Sequence, residues 1–166
     1  MEIIDRYLLR YAASRKKRQD TTLALSHGDF CFSNILFEKS IGLMRLIDPR
    51  GAATADELYM DPLYDVAKLS HSILGHYDLI NNGLFELRVE NELQLNLSTY
   101  EPANAAALRR AFKTRLTEHG YDESQVRLYE VSLFLSMVPL HMDLPVKALA
   151  FILNGSKILD LIEAGG

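Results

Sequence analysis

The stretch His27-Gly28-Asp29-Phe30-Cys31-Phe32-Ser33-Asn34, with Leu46-Ile47-Asp48-Pro49-Arg50-Gly51 beyond it, decides how this chain folds. Between these segments lie Asn34-Ile35-Leu36-Phe37 and Leu43-Met44-Arg45-Leu46-Ile47, two apolar runs parted by Glu38-Lys39-Ser40-Ile41-Gly42. Short strand-like runs around a small insert that ends in glycine predict a β-hairpin. A polar loop therefore enters one strand and the other strand returns beside it. Asp29 is expected at the apex of the loop, Asn34 where it joins the hairpin, and Asp48 alongside.

Outward from the hairpin, the pattern turns helical. Ile3, Ile4, Tyr7, Leu8 and Tyr11 recur at helical spacing, and Glu2 to Arg18 is expected as a first helix that ends in basic residues. Leu23-Ala24-Leu25-Ser26 reads as a short apolar strand. Asp61-Pro62 places an N-cap before proline at the first helical position, so a helix is expected from Pro62 to about His76. Asp78 to Gly83 reads as a turn, and Leu84 to Leu97 suits helix or strand equally. Pro102 to His119, stopped by Gly120, a segment capped by Asp122 and running to about Met137, and Leu144 to Ile162 complete a mostly helical α+β chain.

The chain has 166 residues and nearly half of them are hydrophobic, which fits one domain, 1–166, with a core of its own. Its net charge of −4 and a basic run limited to Arg15-Lys16-Lys17-Arg18 argue against a nucleic-acid partner. The lone Cys31 excludes an internal disulfide and suits a reducing, cytoplasmic setting. The most apolar segment, Val131 to Leu153, is interrupted by Pro139, His141, Asp143, Pro145 and Lys147, so no membrane span is expected.

Asp29, Asn34 and Asp48 suit one chemistry. Phosphoryl transfer asks little covalent work of a protein, but it needs a carboxylate to orient the attacking hydroxyl and hard oxygen ligands for magnesium. Asp29 fits the first need, and Asn34 with Asp48 the second. His-Gly-Asp followed by four residues and Asn, then Ile-Asp after a hairpin, resembles the kinase-like small-molecule phosphotransferases of the aminoglycoside and choline kinase type. The resemblance covers roughly Leu23 to Ser70 with specific motifs.

The resemblance implies a protein-kinase-like C-terminal lobe whose hairpin carries the catalytic and metal loops. It makes Asp29 the catalytic carboxylate, with His27 fixing the loop beside it, and Asn34 and Asp48 the magnesium ligands. The donor is then ATP and the acceptor a hydroxyl of a sugar, aminoglycoside or amino alcohol. Asp65 resembles the helix aspartate that braces the catalytic loop. Arg50 suits a clamp on a phosphate or anionic substrate, or equally an ion pair with Asp56 or Glu57. No Gly-rich strand-turn-strand or strand lysine is found before Gly28, so the expectation is one of three: the sequence is a piece of a longer protein, the nucleotide lobe comes from a partner lobe or second copy, or ATP-dependent catalysis has been lost and the chain alone is weakly active at most. The alternative is a non-catalytic module that holds a ligand or partner in the same cleft.

Overall fold

The computed structural model describes residues 2–17, 22–91 and 94–165. It is an α+β arrangement dominated by helices, with three separate two-stranded antiparallel sheets. Helix α1 (Ile3–Lys17) comes first, and Arg18 lies outside the described residues. Strand β1 (Ala24–Leu25) pairs with β4 (Tyr59–Met60), and the hairpin joins β2 (Ile35–Glu38) to β3 (Leu43–Leu46) in the register Ile35 opposite Leu46.

Helix α2 (Pro62–Ile73) begins where Asp61-Pro62 predicts, and the Asp61 carboxylate accepts the Leu63 N–H at 3.0 Å. It stops short of His76 because His76 adopts a left-handed backbone, φ 58°. The expected turn after it is a short helix, α3 (Tyr77–Asn81). The ambiguous stretch is a hairpin of β5 (Phe85–Asn91) and β6 (Gln94–Thr99), with Leu93 outside the described residues. Phe85 and Leu97 pack on the helical core, a tertiary contact that local periodicity does not carry. Helices α4 (Ala105–Glu118), α5 (Glu123–Leu140) and α6 (Pro145–Ala164) follow, α5 continuing through Pro139 into its last turn. No helix among the described residues is long and apolar enough to cross a membrane.

Helix α5 is the common wall of two cores. Its Leu128, Val131 and Phe134 pack with Ile80, Phe151, Ile158 and Leu159, while its Val126 joins Leu63, Ile73, Phe112 and Leu116 from α2 and α4. His71, on α2, is buried between Tyr77 and Phe134 at ring separations of 4.4 and 4.1 Å, and neither ring nitrogen has a partner among the described residues. Burial, reinforced by Lys68 and Arg127, holds its pKa well below the usual imidazole value, so it packs as a neutral aromatic.

The end of α2 is locked onto α5 and α6 at Gly75. Asn154 donates to the Gly75 carbonyl at 2.6 Å, and buried Glu130 accepts from Ser70 and Arg127. A Cβ on Gly75 would meet Glu130 Oε1 at 2.1 Å and the His71 carbonyl at 2.8 Å, so no side chain fits. Gly75→Ala is expected to destabilise the fold by about 2 kcal/mol through overpacking, measured by urea unfolding.

Burial raises the Glu130 pKa from 4.5 to about 7, against the opposing pull of Arg127 and Ser70. Folding thus takes up a proton between these values: the stabilising contribution is complete below 4.5 and is lost as pH rises through about 7. Unfolding free energies measured from pH 4.5 to 8 should fall by at most about 3 kcal/mol from this group, and Glu130→Gln should flatten that portion of the profile.

Candidate active site at the hairpin loop

The loop between β1 and β2 is held from beneath by α2. The carboxylate of Asp65, in the first turn of that helix, accepts two successive backbone N–H groups: His27 at 2.7 Å to Oδ2 and Gly28 at 2.8 Å to Oδ1. Such charge-assisted bonds are roughly twice as strong as neutral ones, and a pair of them fixes the peptide plane between the two residues. One turn further, Lys68 Nζ lies 2.8 Å from Asp29 Oδ1. Beyond that, Ser72 Oγ accepts the Phe32 N–H at 3.1 Å. Asp65, Lys68 and Ser72 stand at i, i+3 and i+7, on one face of α2, and together hold three points of the loop.

Asn34 closes the loop from the other end. It is buried at the end of a single 3₁₀ turn, Phe32–Asn34. Its Nδ2 donates to the Asp29 carbonyl at 2.8 Å and to Asp29 Oδ2 at 3.0 Å. The Asp29 carboxylate, 40% exposed, is therefore flanked by an amide on one oxygen and an ammonium on the other. Asn34 Oδ1 takes no hydrogen bond from the described residues.

His27 joins both segments. Its Nε2 is 3.0 Å from the Ile47 carbonyl, which can only accept, so the hydrogen is assigned to Nε2. Nδ1 then accepts the Asp29 N–H at 3.3 Å. With both nitrogens engaged on backbone groups, the imidazole acts as a brace. The Ile47 N–H donates to the Asn34 carbonyl at 3.0 Å, so both polar groups of Ile47 point back into the loop and set Asp48 immediately beside it.

Asp48 has φ 54°, a left-handed conformation uncommon outside glycine, and its carboxylate forms no bond with the described residues. Arg50 is tied in through its N–H to the His27 carbonyl at 2.8 Å. Neither of the acids considered for it pairs with its guanidinium, and Glu57 turns instead to the Ala53 N–H at 3.0 Å.

Four of the five sequence-selected residues thus belong to one bonded network: Asp29 and Asn34 touch directly, and His27 and Arg50 join through backbone bonds. Asp48 is placed beside it by its chain neighbour Ile47. Lys68 and Ser72 are the members that motif reading misses, although their spacing from Asp65 on a single helix was there to be found. No group of three or more His, Cys, Asp or Glu among the described residues is gathered to hold a metal. A magnesium ion would draw on the Asn34 side-chain oxygen, the Asp48 carboxylate and oxygens from substrate or water. That hard, sparse donor set fits its habit of keeping several waters.

The chain matches no protein-family model, no curated protein and no solved structure.

Asp65 is the brace on which the geometry turns. Asp65→Ala leaves two N–H groups without an acceptor and is expected to cost about 3 kcal/mol in urea unfolding, with Asp65→Asn, which keeps one acceptor oxygen, falling between it and the wild type.

Proposed function

We propose that this loop is the phosphotransfer site of a kinase-like small-molecule phosphotransferase, and that the helical α+β chain corresponds to the C-terminal lobe of that fold. The observation that carries the reading is the double clasp on Asp29. Asn34 bonds both its carbonyl and its carboxylate while Asp65 pins the two preceding peptides, so a partly exposed carboxylate is held in one orientation. Preorganised positioning of that kind is the main protein contribution to phosphoryl transfer.

In this reading the acceptor hydroxyl hydrogen-bonds to Asp29, which takes its proton as the new O–P bond forms to the γ-phosphoryl of ATP. The bond from the γ-phosphorus to the β,γ-bridging oxygen breaks, and ADP leaves with that oxygen. Lys68 keeps Asp29 in place. Asn34 and Asp48 would hold magnesium, which would neutralise charge on the phosphates, and Arg50 offers a further cation to an anionic oxygen. The acceptor is a hydroxyl of a small polar molecule such as a sugar, aminoglycoside or amino alcohol.

The hairpin supports a covering partner. Phe37 and Met44, cross-strand partners on one face, are exposed there, as are Leu36 and Leu43 on the other face and Ile41 in the turn, and so many exposed apolar side chains on one small hairpin favour a covering partner. A nucleotide-binding lobe or a second copy of the chain seated on it would complete the cleft. The same surface is what favours the second reading, a non-catalytic module that works through a bound partner.

Transfer from radiolabelled ATP to a panel of hydroxylated acceptors, with a nucleotide lobe supplied where needed, is the direct test. Asp29→Ala is expected to lower the rate by about 10³-fold with the fold intact. Asn34→Ala and Asp48→Ala should weaken magnesium-dependent ATP binding by at least about tenfold, roughly 1.4 kcal/mol, in calorimetry. Equal transfer by wild type and Asp29→Ala refutes the assignment. Self-association in light scattering with no magnesium-dependent ATP heat points to the binding module.

A further inference from the structure

Arg50 is built into the loop. Its N–H is bonded to the His27 carbonyl, and its aliphatic stem lies against Gly28, where an added Cβ would come within 2.6 Å of Arg50 Cβ and 3.2 Å of Cδ. Gly28 is required twice over, by φ 76° and by the room this stem occupies. The base of the stem is therefore supported by the Gly28 backbone before any ligand arrives. The guanidinium makes no ion pair or hydrogen bond with the described residues. Arg50 lines a cavity of about 250 Å³ together with Ser26, Gly28, Gly51, Glu57, Leu58 and Met60.

We infer that this cavity is the acceptor subsite and that it takes a hydroxylated monoanion of the sugar-acid type, with its carboxylate on Arg50 and a hydroxyl on Glu57. The inference rests on Asp29 being the phosphotransfer carboxylate. The planar guanidinium matches a carboxylate bidentately. Glu57 brings a negative charge to the same cavity, so a second anionic group is repelled while a hydroxyl finds an acceptor.

The volume lies just below the range of drug-sized pockets, which suits one sugar unit. Asp29, Asn34 and Asp48 do not line the cavity, so it is distinct from the position where phosphates and magnesium would be held. Gly28 does line it, and Asp29 is the next residue, about 4 Å further along the backbone. An acceptor seated on Arg50 therefore lies beside the backbone that carries Asp29.

The experiment is a titration of the full chain with sodium glucuronate, followed by the ¹⁵N NMR signal of Arg50 Nε–Hε, with glucose as the neutral match at constant ionic strength. Glucuronate is expected to shift the signal saturably and at least about tenfold more tightly than glucose. Arg50→Gln should lose glucuronate binding, Arg50→Lys should retain a weaker form, and Arg88→Gln, which removes an exposed cation on the β5–β6 hairpin, should leave it unchanged. An unmoved signal, an equal response to glucose, or unchanged affinity in Arg50→Gln overturns the inference. A signal that follows magnesium–ATP and ignores glucuronate assigns Arg50 to the nucleotide; the acceptor subsite then fails while the phosphotransferase reading stands. Glucuronate binding with no magnesium-dependent ATP heat even when a nucleotide lobe is supplied removes the acceptor role and the reading beneath it, leaving only an anion site.

Discussion

The carboxylate of Asp65, accepting the N–H groups of His27 and Gly28, is the constraint from which the rest of the site follows. A loop of eight or so residues has many conformations of similar energy, and ordering each residue costs about 1–2 kcal/mol of backbone entropy. Two charge-assisted bonds to adjacent peptides remove most of that freedom at one point. Lys68 and Ser72 extend the same restraint along α2 to Asp29 and Phe32. What the loop presents, a carboxylate flanked by an amide and an ammonium, is thus set by a helix whose polar groups hold it at three points.

That restraint is as rigid as the helix that supplies it. Helix α2 buries Leu63 and Ile73 with Phe112, Leu116 and Val126, and its end is fixed where Gly75 meets Glu130 and Asn154. Position is passed from the α5–α6 core to α2, and from α2 to the loop. Two buried ionisable groups lie on that route, Glu130 with its raised pKa and His71 with its lowered one, so burial sets both charge states. Structural stability near neutral pH and the geometry of the site share the same packing.

Elements with strong local signals were legible residue by residue. Asp61-Pro62 marked the start of α2, the runs on either side of Glu38-Lys39-Ser40-Ile41-Gly42 marked the hairpin, and Gly120 and Asp122 marked the break between α4 and α5. The stretch from Leu84 to Leu97 was not, because its strands bury Phe85 and Leu97 against helices far away in sequence, and a two-stranded ribbon has no inside face until that contact exists. The end of α2 escaped for a related reason: His76 turns left-handed where Thr99, Glu101 and Arg109, all distant in sequence, gather around its ring.

The residues alone determined which groups are present and roughly where the loop meets the hairpin, since turn chemistry, capping and the spacing of His27, Asp29, Asn34 and Asp48 are properties of short segments. Only the tertiary structure decided that Lys68 pairs with Asp29, that His27 has both nitrogens occupied, and that the Arg50 guanidinium finds no partner among the described residues while its stem lies against Gly28. Each of these depends on distance through space between elements. Spacing along a chain specifies such distances within a helix or a hairpin, and leaves them open between elements until packing closes them.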